Sequence, residues 1–101
     1  MLVVHATFPI DPDHRDEALD QIETLAERSR EENGVIDYRV AVAIDNPNQF
    51  KFFEEYEDEA AFEAHAQTDH FQEFEAALPT FLAGEPDVTQ FDVAEASTVE
   101  L

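Results

Sequence analysis

The chain has 101 residues, with 25 Asp or Glu against 5 Lys or Arg and a formal net charge of −20. This length suits one domain with one core and room for one pocket, since such a domain buries about two-thirds of its unfolded surface. The chain has no basic stripe, which argues against nucleic-acid binding. It also has no cysteine, which excludes disulfides, thiol nucleophiles and Cys-based metal sites.

The acidity predicts adaptation to high salt rather than disorder. Hydrophobic residues make up 44% of the chain and recur at regular spacings, which a disordered segment does not show. A folded protein with this charge repels itself unless salt screens it. We therefore expect a cytoplasmic, halophilic protein that gains stability with KCl. A DNA mimic or a calcium buffer fits less well, because the carboxylates are spread along the chain and no D-x-D-x-D-G loop is present.

Neither a signal peptide nor a membrane span is expected. The N-terminus, MLVVHATF, lacks a charged n-region and a long apolar stretch. No run approaches the roughly 18 apolar residues that a spanning helix needs.

The first third of the chain predicts a strand followed by a helix. Residues 2–8 alternate in polarity as a strand does. Asp11 is suited to cap the helix, and Pro12 suits its first position. An apolar stripe at three- and four-residue steps continues this helix to Asn33-Gly34, where the glycine is able to take a positive φ.

A hairpin is predicted next. Residues 35–44 and 49–56 alternate as strands, and the DNPN turn at 45–48 joins them with a proline that pre-sets φ. Because the connection is short, the two strands should be antiparallel. The acidic run Glu54-Glu55 at the end of the hairpin is interpreted as part of a solvated face.

The second half of the chain predicts two short helices with a break between them. Asp58 is suited to cap the first helix, over 59–66. Asp69 followed by Gln72 resembles a capping box, so a second helix should begin at His70. Pro79 is expected to disturb this second helix, because proline lacks the N–H that a helix interior uses.

Residues 87–94 predict a fourth strand, and the order of elements is then β-α-β-β-α-β. This is the ferredoxin-like α+β arrangement, with a four-stranded antiparallel sheet and the second helix split in two. The helices should cover one face of the sheet. Since both faces of the first two strands carry apolar residues, the other face should associate with a second copy in a symmetric homodimer.

The sequence resembles the antibiotic biosynthesis monooxygenase (ABM) family. The resemblance rests on four motifs in order, namely G-V-x-x-Y from Gly34, D-x-P-x-x-F-x-F-x-E-x-Y from Asp45, A-F-x-x-H from Ala61 and H-F-x-x-F from His70. The segment EAHAQTDHF is similar to bacterial quinol monooxygenases of the YgiN type. The resemblance covers residues 1–95, interpreted as one domain that a tail, 96–101, follows.

The resemblance implies a dimeric α+β barrel with a small pocket in each subunit between the sheet and the helices. It implies a monooxygenase that oxidises a small quinol or phenol with O2, without flavin, metal or another cofactor. A phenolate can itself pass an electron to O2, so the protein need only bind the ring, accept a proton and stabilise charge. His65 would be the main proton-transfer or orienting residue, with His70 its helper. The residues expected to line the pocket are His5, Tyr38, Phe52, Phe71 and Phe74, although alternation alone leaves the face of His5 open.

Packing and metal binding are the alternatives for the two histidines. His65 also suits a packed residue at a helix end, and His70 suits a first-turn residue. Positions five apart on an unbroken helix lie about 140° apart, so only a break at 68–69 would bring both to one metal with Asp69 or a glutamate. We expect no metal.

Two other functions stay open on the sequence. One is a non-catalytic module that binds small aromatic compounds in a stress response, which binding without turnover would support. The other is an isomerase of a small carbonyl or phosphorylated sugar compound, which activity without oxygen consumption would support. Haem degradation is argued against, because the family's haem-degrading branch has Trp at His65, His at Glu75 and an Asn on the first strand.

Overall fold

The structure is a computed structural model that describes residues 1–101, and it contains one antiparallel sheet and three α-helices. The strands are β1 (Leu2–Pro9), β2 (Val35–Ala43), β3 (Asn46–Tyr56) and β4 (Asp87–Asp92), and the helices are α1 (Arg15–Arg30), α2 (Glu59–Ala66) and α3 (Asp69–Phe81). The strand order is β2-β3-β1-β4. The predicted ferredoxin-like α+β fold is confirmed. None of the helices has the length and apolar character to cross a membrane.

The core lies between the helices and one face of the sheet. The alternation predicted for β1 is confirmed, since Leu2, Val4, Ala6 and Phe8 are all buried. The stripe of α1 packs against this face. Burying each large apolar side chain contributes about 1.5–3 kcal/mol, and these contacts hold the helices on the sheet. The main cluster consists of Ala6, Phe8, Ile10, Ala18, Ile22, Leu25, Ala26, Tyr38, Phe50, Phe52, Phe74 and Phe81.

The ends of several elements differ from the sequence-based expectation. Asp11 does cap, but it caps a 3-10 turn at Pro12–His14, and α1 begins after that turn. Asn46 already belongs to β3, so the hairpin turn is tighter than the DNPN segment. A register shift between Val35 and Asp37 turns Ile36 out to solvent, away from the face that Tyr38 occupies.

The junction between α2 and α3 was predicted one residue too late. Thr68, rather than Asp69, caps α3, and its hydroxyl accepts a hydrogen bond from the Phe71 amide at 3.2 Å. The same hydroxyl donates to the carbonyl of His65 at 2.7 Å. Thr68 therefore binds the last turn of α2 and caps the first turn of α3. Pro79 does not end α3, which continues to Phe81.

Position 34 requires glycine because of close packing, and not because of its backbone conformation. Gly34 does not adopt the positive φ that a glycine is able to take, since no glycine of the chain has one. A Cβ atom at Gly34 would lie 2.3 Å from the Cβ of Ala61, a distance that real Cβ atoms do not adopt. Only glycine therefore lets α2 approach the start of β2 this closely.

Gly34→Ala is expected to destabilise the fold by about 1–3 kcal/mol, the usual cost of overpacking a close contact. Gly84→Ala is the matched control, since its new Cβ would meet Pro9 at an ordinary 3.6 Å. Urea unfolding of both variants measures the difference. Equal stabilities of the two variants would contradict the packing explanation.

Candidate active site

Three polar side chains meet where all three helices end or begin. Glu32 lies just after α1, His65 in the last turn of α2 and His70 in the first turn of α3. One oxygen of Glu32, Oε2, lies 2.8 Å from Nδ1 of His65 and 2.8 Å from Nε2 of His70. The structure thus brings the two sequence-predicted histidines together, on a carboxylate that the sequence analysis did not single out.

The backbone around Glu32 is held on both sides. Its amide donates to the carbonyl of Ser29 at 3.1 Å, and its carbonyl accepts from the amide of Val35 at 3.2 Å. Together with the Thr68 cap at the junction, these bonds fix the carboxylate and both rings on structured segments. A site built this way needs little reordering before it acts.

The shared oxygen determines which ring nitrogens carry hydrogen. An ionised carboxylate only accepts hydrogen bonds, so His65 donates through Nδ1 and His70 donates through Nε2. In a neutral imidazole the other nitrogen is then an acceptor. His70 therefore keeps Nδ1 as a basic atom, with Glu32 behind the ring to stabilise the positive charge that protonation creates.

Burial differs sharply within the cluster. The His65 side chain is only 1% exposed, whereas those of Glu32 and His70 are each 15% exposed. Burial lowers the pKa of His65, because loss of water disfavours the charged ring. The Glu32 carboxylate opposes this shift, because its negative charge favours the charged ring. His65 is thus an inner, neutral partner, and His70 is the histidine nearer to solvent.

Aromatic rings enclose His65. Its ring centroid lies 5.0 Å from Phe71, 5.4 Å from Tyr38 and 5.5 Å from Tyr56. Of the predicted pocket residues, Tyr38 and Phe71 therefore contact the histidine directly. Phe52 and Phe74 lie behind them in the core, with their own rings 6.0 Å apart.

His5 is on the other side of the sheet. Its ring packs edge-on against Phe53 at 5.2 Å and Phe91 at 5.1 Å, on the face that no helix covers. Within one chain, the structure does not bring His5 to the histidine cluster. Side chains at the start of β1 alternate between the two faces, and His5 has the opposite parity to the buried Val4 and Ala6.

Two surface cavities open beside His70. One, of about 400 Å³, lies between α1 and α3 and is lined by Asp20, Gln21, Thr24, Leu25, His70, Glu73 and Phe74. The other, of about 310 Å³, is lined by Arg28, Glu31, Glu32 and His70. A third cavity, of about 330 Å³, lies between α1 and the sheet, with Leu19, Val40 and Phe50 on its lining. Phe52 and Tyr38 are both buried and line none of the three cavities. Access to the cluster is therefore from the helix side.

A second buried polar pair adjoins His65. The Tyr56 hydroxyl donates to Glu54 at 2.5 Å, and Glu54 is only 6% exposed. Burial raises the pKa of the Glu54 carboxyl to about 7, although the bond from Tyr56 opposes the shift. Burial likewise raises the pKa of Tyr56, so its hydroxyl stays protonated and donates. The interpretation of Glu54 as part of a solvated face is wrong, because its alternation with Phe52 and Tyr56 turns it inward.

Glu32 is the member of this cluster that the sequence analysis missed. It follows the last turn of α1, where the negative end of the helix dipole disfavours an acid. That local conflict was the available signal. The cluster also has the composition of a metal site, since the three ligand atoms of Glu32, His65 and His70 all lie within 4.8 Å of one another. Of the two carboxylates considered from the sequence, Asp69 or a glutamate, the cluster contains a glutamate, Glu32.

Comparison with known proteins gives consistent matches over nearly the whole chain. The profile of the family described as antibiotic biosynthesis monooxygenase matches residues 1–77. The "putative monooxygenase YcnE" of Bacillus subtilis is 33% identical over 95 residues, which span 94% of this chain and 100% of that protein. The protein sll1783 of Synechocystis is 33% identical over 98 residues, 97% of this chain and 67% of that one. A crystal structure of an antibiotic biosynthesis monooxygenase superposes with a TM-score of 0.88 at 29% identity, covering 94% of this chain and all of the other.

Proposed function

Because this chain belongs to the antibiotic biosynthesis monooxygenase family, we propose that it oxidises a small quinol or phenol with O2 and needs no bound cofactor. The observation that carries the proposal is the shared oxygen of Glu32, 2.8 Å from a nitrogen of each histidine. A phenolic substrate must lose a proton before it reduces O2, and this cluster is built to accept one.

We propose roles for the two histidines in the reverse order from the sequence analysis. His70 lines both cavities and is the proton acceptor, through Nδ1. Glu32 stabilises the imidazolium that results. His65 holds the Glu32 oxygen from the buried side and is a positioning residue, because its ring is enclosed and lines neither cavity.

The reaction balances without an added reductant. A phenol with a free ring position and O2 give a quinone and water, and a quinol gives a hydroxylated quinone and water. One oxygen atom enters the ring, the other leaves as water, and the ring supplies all four electrons that O2 takes up. The protein's part is to remove the phenolic proton, orient the ring and exclude competing reactions.

An oxygen electrode with a menadiol-like quinol tests this function. Oxygen uptake should exceed the protein-free rate, and His70→Ala should lower it by roughly 100-fold or more, the usual worth of a general base. His14→Ala is the control, since His14 lies on the surface beside Glu17, 3.8 Å away. Uptake no faster than without protein, or unchanged in His70→Ala, would rule the proposal out. Binding of the quinol without turnover would support the non-catalytic binding module. Formation of product without oxygen uptake would support the isomerase.

Two copies are proposed to pair through the open face of the sheet. Phe53 and Phe91 are 41% and 42% exposed there, and both contact His5. Arg39 and Lys51 occupy neighbouring positions of the same face by strand register, so two of the five basic side chains lie where the acidic copies would meet. Both features favour a homodimer in salt, which screens the remaining repulsion.

Phe53→Glu is expected to convert this dimer to a monomer, because it places a carboxylate at the centre of the apolar patch. Sedimentation equilibrium in KCl measures the mass. Ile44→Glu is the control, as Ile44 is fully exposed at the hairpin turn, outside the patch. A monomeric natural protein, or a dimer that survives Phe53→Glu, would exclude pairing through this face.

A further inference from the structure

We propose that the Glu32–His65–His70 cluster also binds one divalent transition-metal ion of the cobalt-to-zinc series, and that the bound ion blocks the oxidation described above. The binding site stands on the geometry alone. The inhibitory part rests on the proposed function, because it concerns the same histidine and glutamate side chains.

The ligand types select the class of ion. Two imidazoles and one carboxylate suit cobalt, nickel, copper or zinc in their divalent states, whereas magnesium and calcium prefer sets made of oxygen atoms. Three protein ligands also leave coordination positions free for water, as in open metal sites. These three ligands are thus typical of a site that binds a transition-metal ion exchangeably.

The three atoms converge on one point. Oε2 of Glu32 lies 2.8 Å from each ring nitrogen, and all three ligand atoms fall within 4.8 Å of one another. With bonds of about 2.1 Å, two ligands of a single ion lie roughly 3 to 3.5 Å apart. Glu32, whose side chain is partly exposed, would therefore need to withdraw by a few tenths of an ångström, and the two ring nitrogens, which lie within 4.8 Å of each other, would need to come to the same spacing.

An ion has a route to this point and a favourable field. The cavity of about 310 Å³ lined by Glu31, Glu32 and His70 opens the cluster to solvent. The lining of this cavity carries one cation, Arg28, and two glutamates, and the chain as a whole has a net charge of −20. The resulting negative potential attracts a cation. On the inner side, Tyr38, Tyr56 and Phe71 enclose His65 and hold its ring in place. Such outer support strengthens metal sites.

Metal and base functions exclude each other in this cluster. The nitrogens that would ligate the ion are the ones that now donate hydrogen bonds to Glu32. Once an ion takes the place of those hydrogens, Glu32 no longer supports a protonated His70. A redox-inert ion such as Zn²⁺ would therefore stop the oxidation without unfolding the protein.

The test is a titration of chelator-treated protein with Co²⁺, followed by its visible absorption bands, in excess Mg²⁺ to occupy unspecific carboxylates. One Co²⁺ per chain should bind, and Zn²⁺ should displace it. Glu32→Gln and His70→Ala should each weaken binding by about 100-fold or more, since even outer partners of metal ligands are worth roughly 10–100-fold. His14→Ala, beside Glu17, is the control and should bind as the natural protein does.

Each outcome separates the site from the proposed function. No Co²⁺ bands, or bands that persist in both Glu32→Gln and His70→Ala, would overturn the site and leave the oxidation untouched. Bands that vanish in these variants while circular dichroism shows them folded would establish it, whether or not quinol is oxidised. If Zn²⁺ binds but oxygen uptake stays the same or rises, the inhibitory role is wrong.

Discussion

Glu32→Gln is expected to lower oxygen uptake by roughly 100-fold or more, the range that a general base and its supporting charge supply. The amide keeps the shape of Glu32 but carries no charge, so an imidazolium on His70 loses the counter-charge 2.8 Å from its Nε2. The loss should appear in kcat more than in KM, because the charge develops only as the proton moves. Initial rates over a range of quinol concentrations measure both.

Glu31→Gln is the matched control for this prediction. Glu31 lines the same cavity as Glu32 and carries the same charge, but no hydrogen bond joins it to either histidine. It should therefore retain most of the activity. If both variants lose activity equally, the loss comes from the reduced negative charge around the cavity. The specific role proposed for Glu32 is then wrong.

Glu54→Gln is expected to stabilise the fold above pH 7 and to leave it nearly unchanged below pH 4.5. Burial raises the pKa of Glu54 from 4.5 to about 7, so in this window the folded state holds a proton that the unfolded state has released. Stability contributed by this carboxyl is therefore present at acidic pH and lost as the pH rises through the window. The full loss corresponds to roughly 3 kcal/mol.

Urea unfolding of both proteins at two pH values, in the same salt, measures this difference. His65 has a lowered pKa, so its contribution runs the other way and weakens stability as the pH falls. It is present in both proteins and cancels in the comparison. A difference between the two that does not change with pH would show that Glu54 is charged in the fold despite its burial.

Glu32 and Glu54 are two acids in positions that local physical chemistry disfavours. Glu32 puts an acid at the unfavourable end of a helix, and Glu54 buries one in the core. Both lie next to His65, the first by a direct hydrogen bond and the second through Tyr56. Departures of this kind concentrate at functional sites, which supports the location proposed for the chemistry.

Local patterns were enough to predict the elements and their order. The alternation of β1, the cap at Asp58 and the break before His70 depend on residues within a few positions of one another. Such signals act through the backbone and one neighbouring turn, so they can be interpreted without knowing the rest of the fold. They placed both histidines at a helix junction, and the ordered motifs then identified the family.

Only the tertiary structure decided what that junction does. Glu32 reaches His65 and His70 across 33 and 38 residues of chain, through the packing of three helix ends that no local signal encodes. The same packing requires glycine at position 34 and buries Phe52. The sequence by itself determined which residues were available and on which elements they lie. The packing of those elements determined that a carboxylate joins the two histidines, because such contacts depend on distances in space rather than on spacing along the chain.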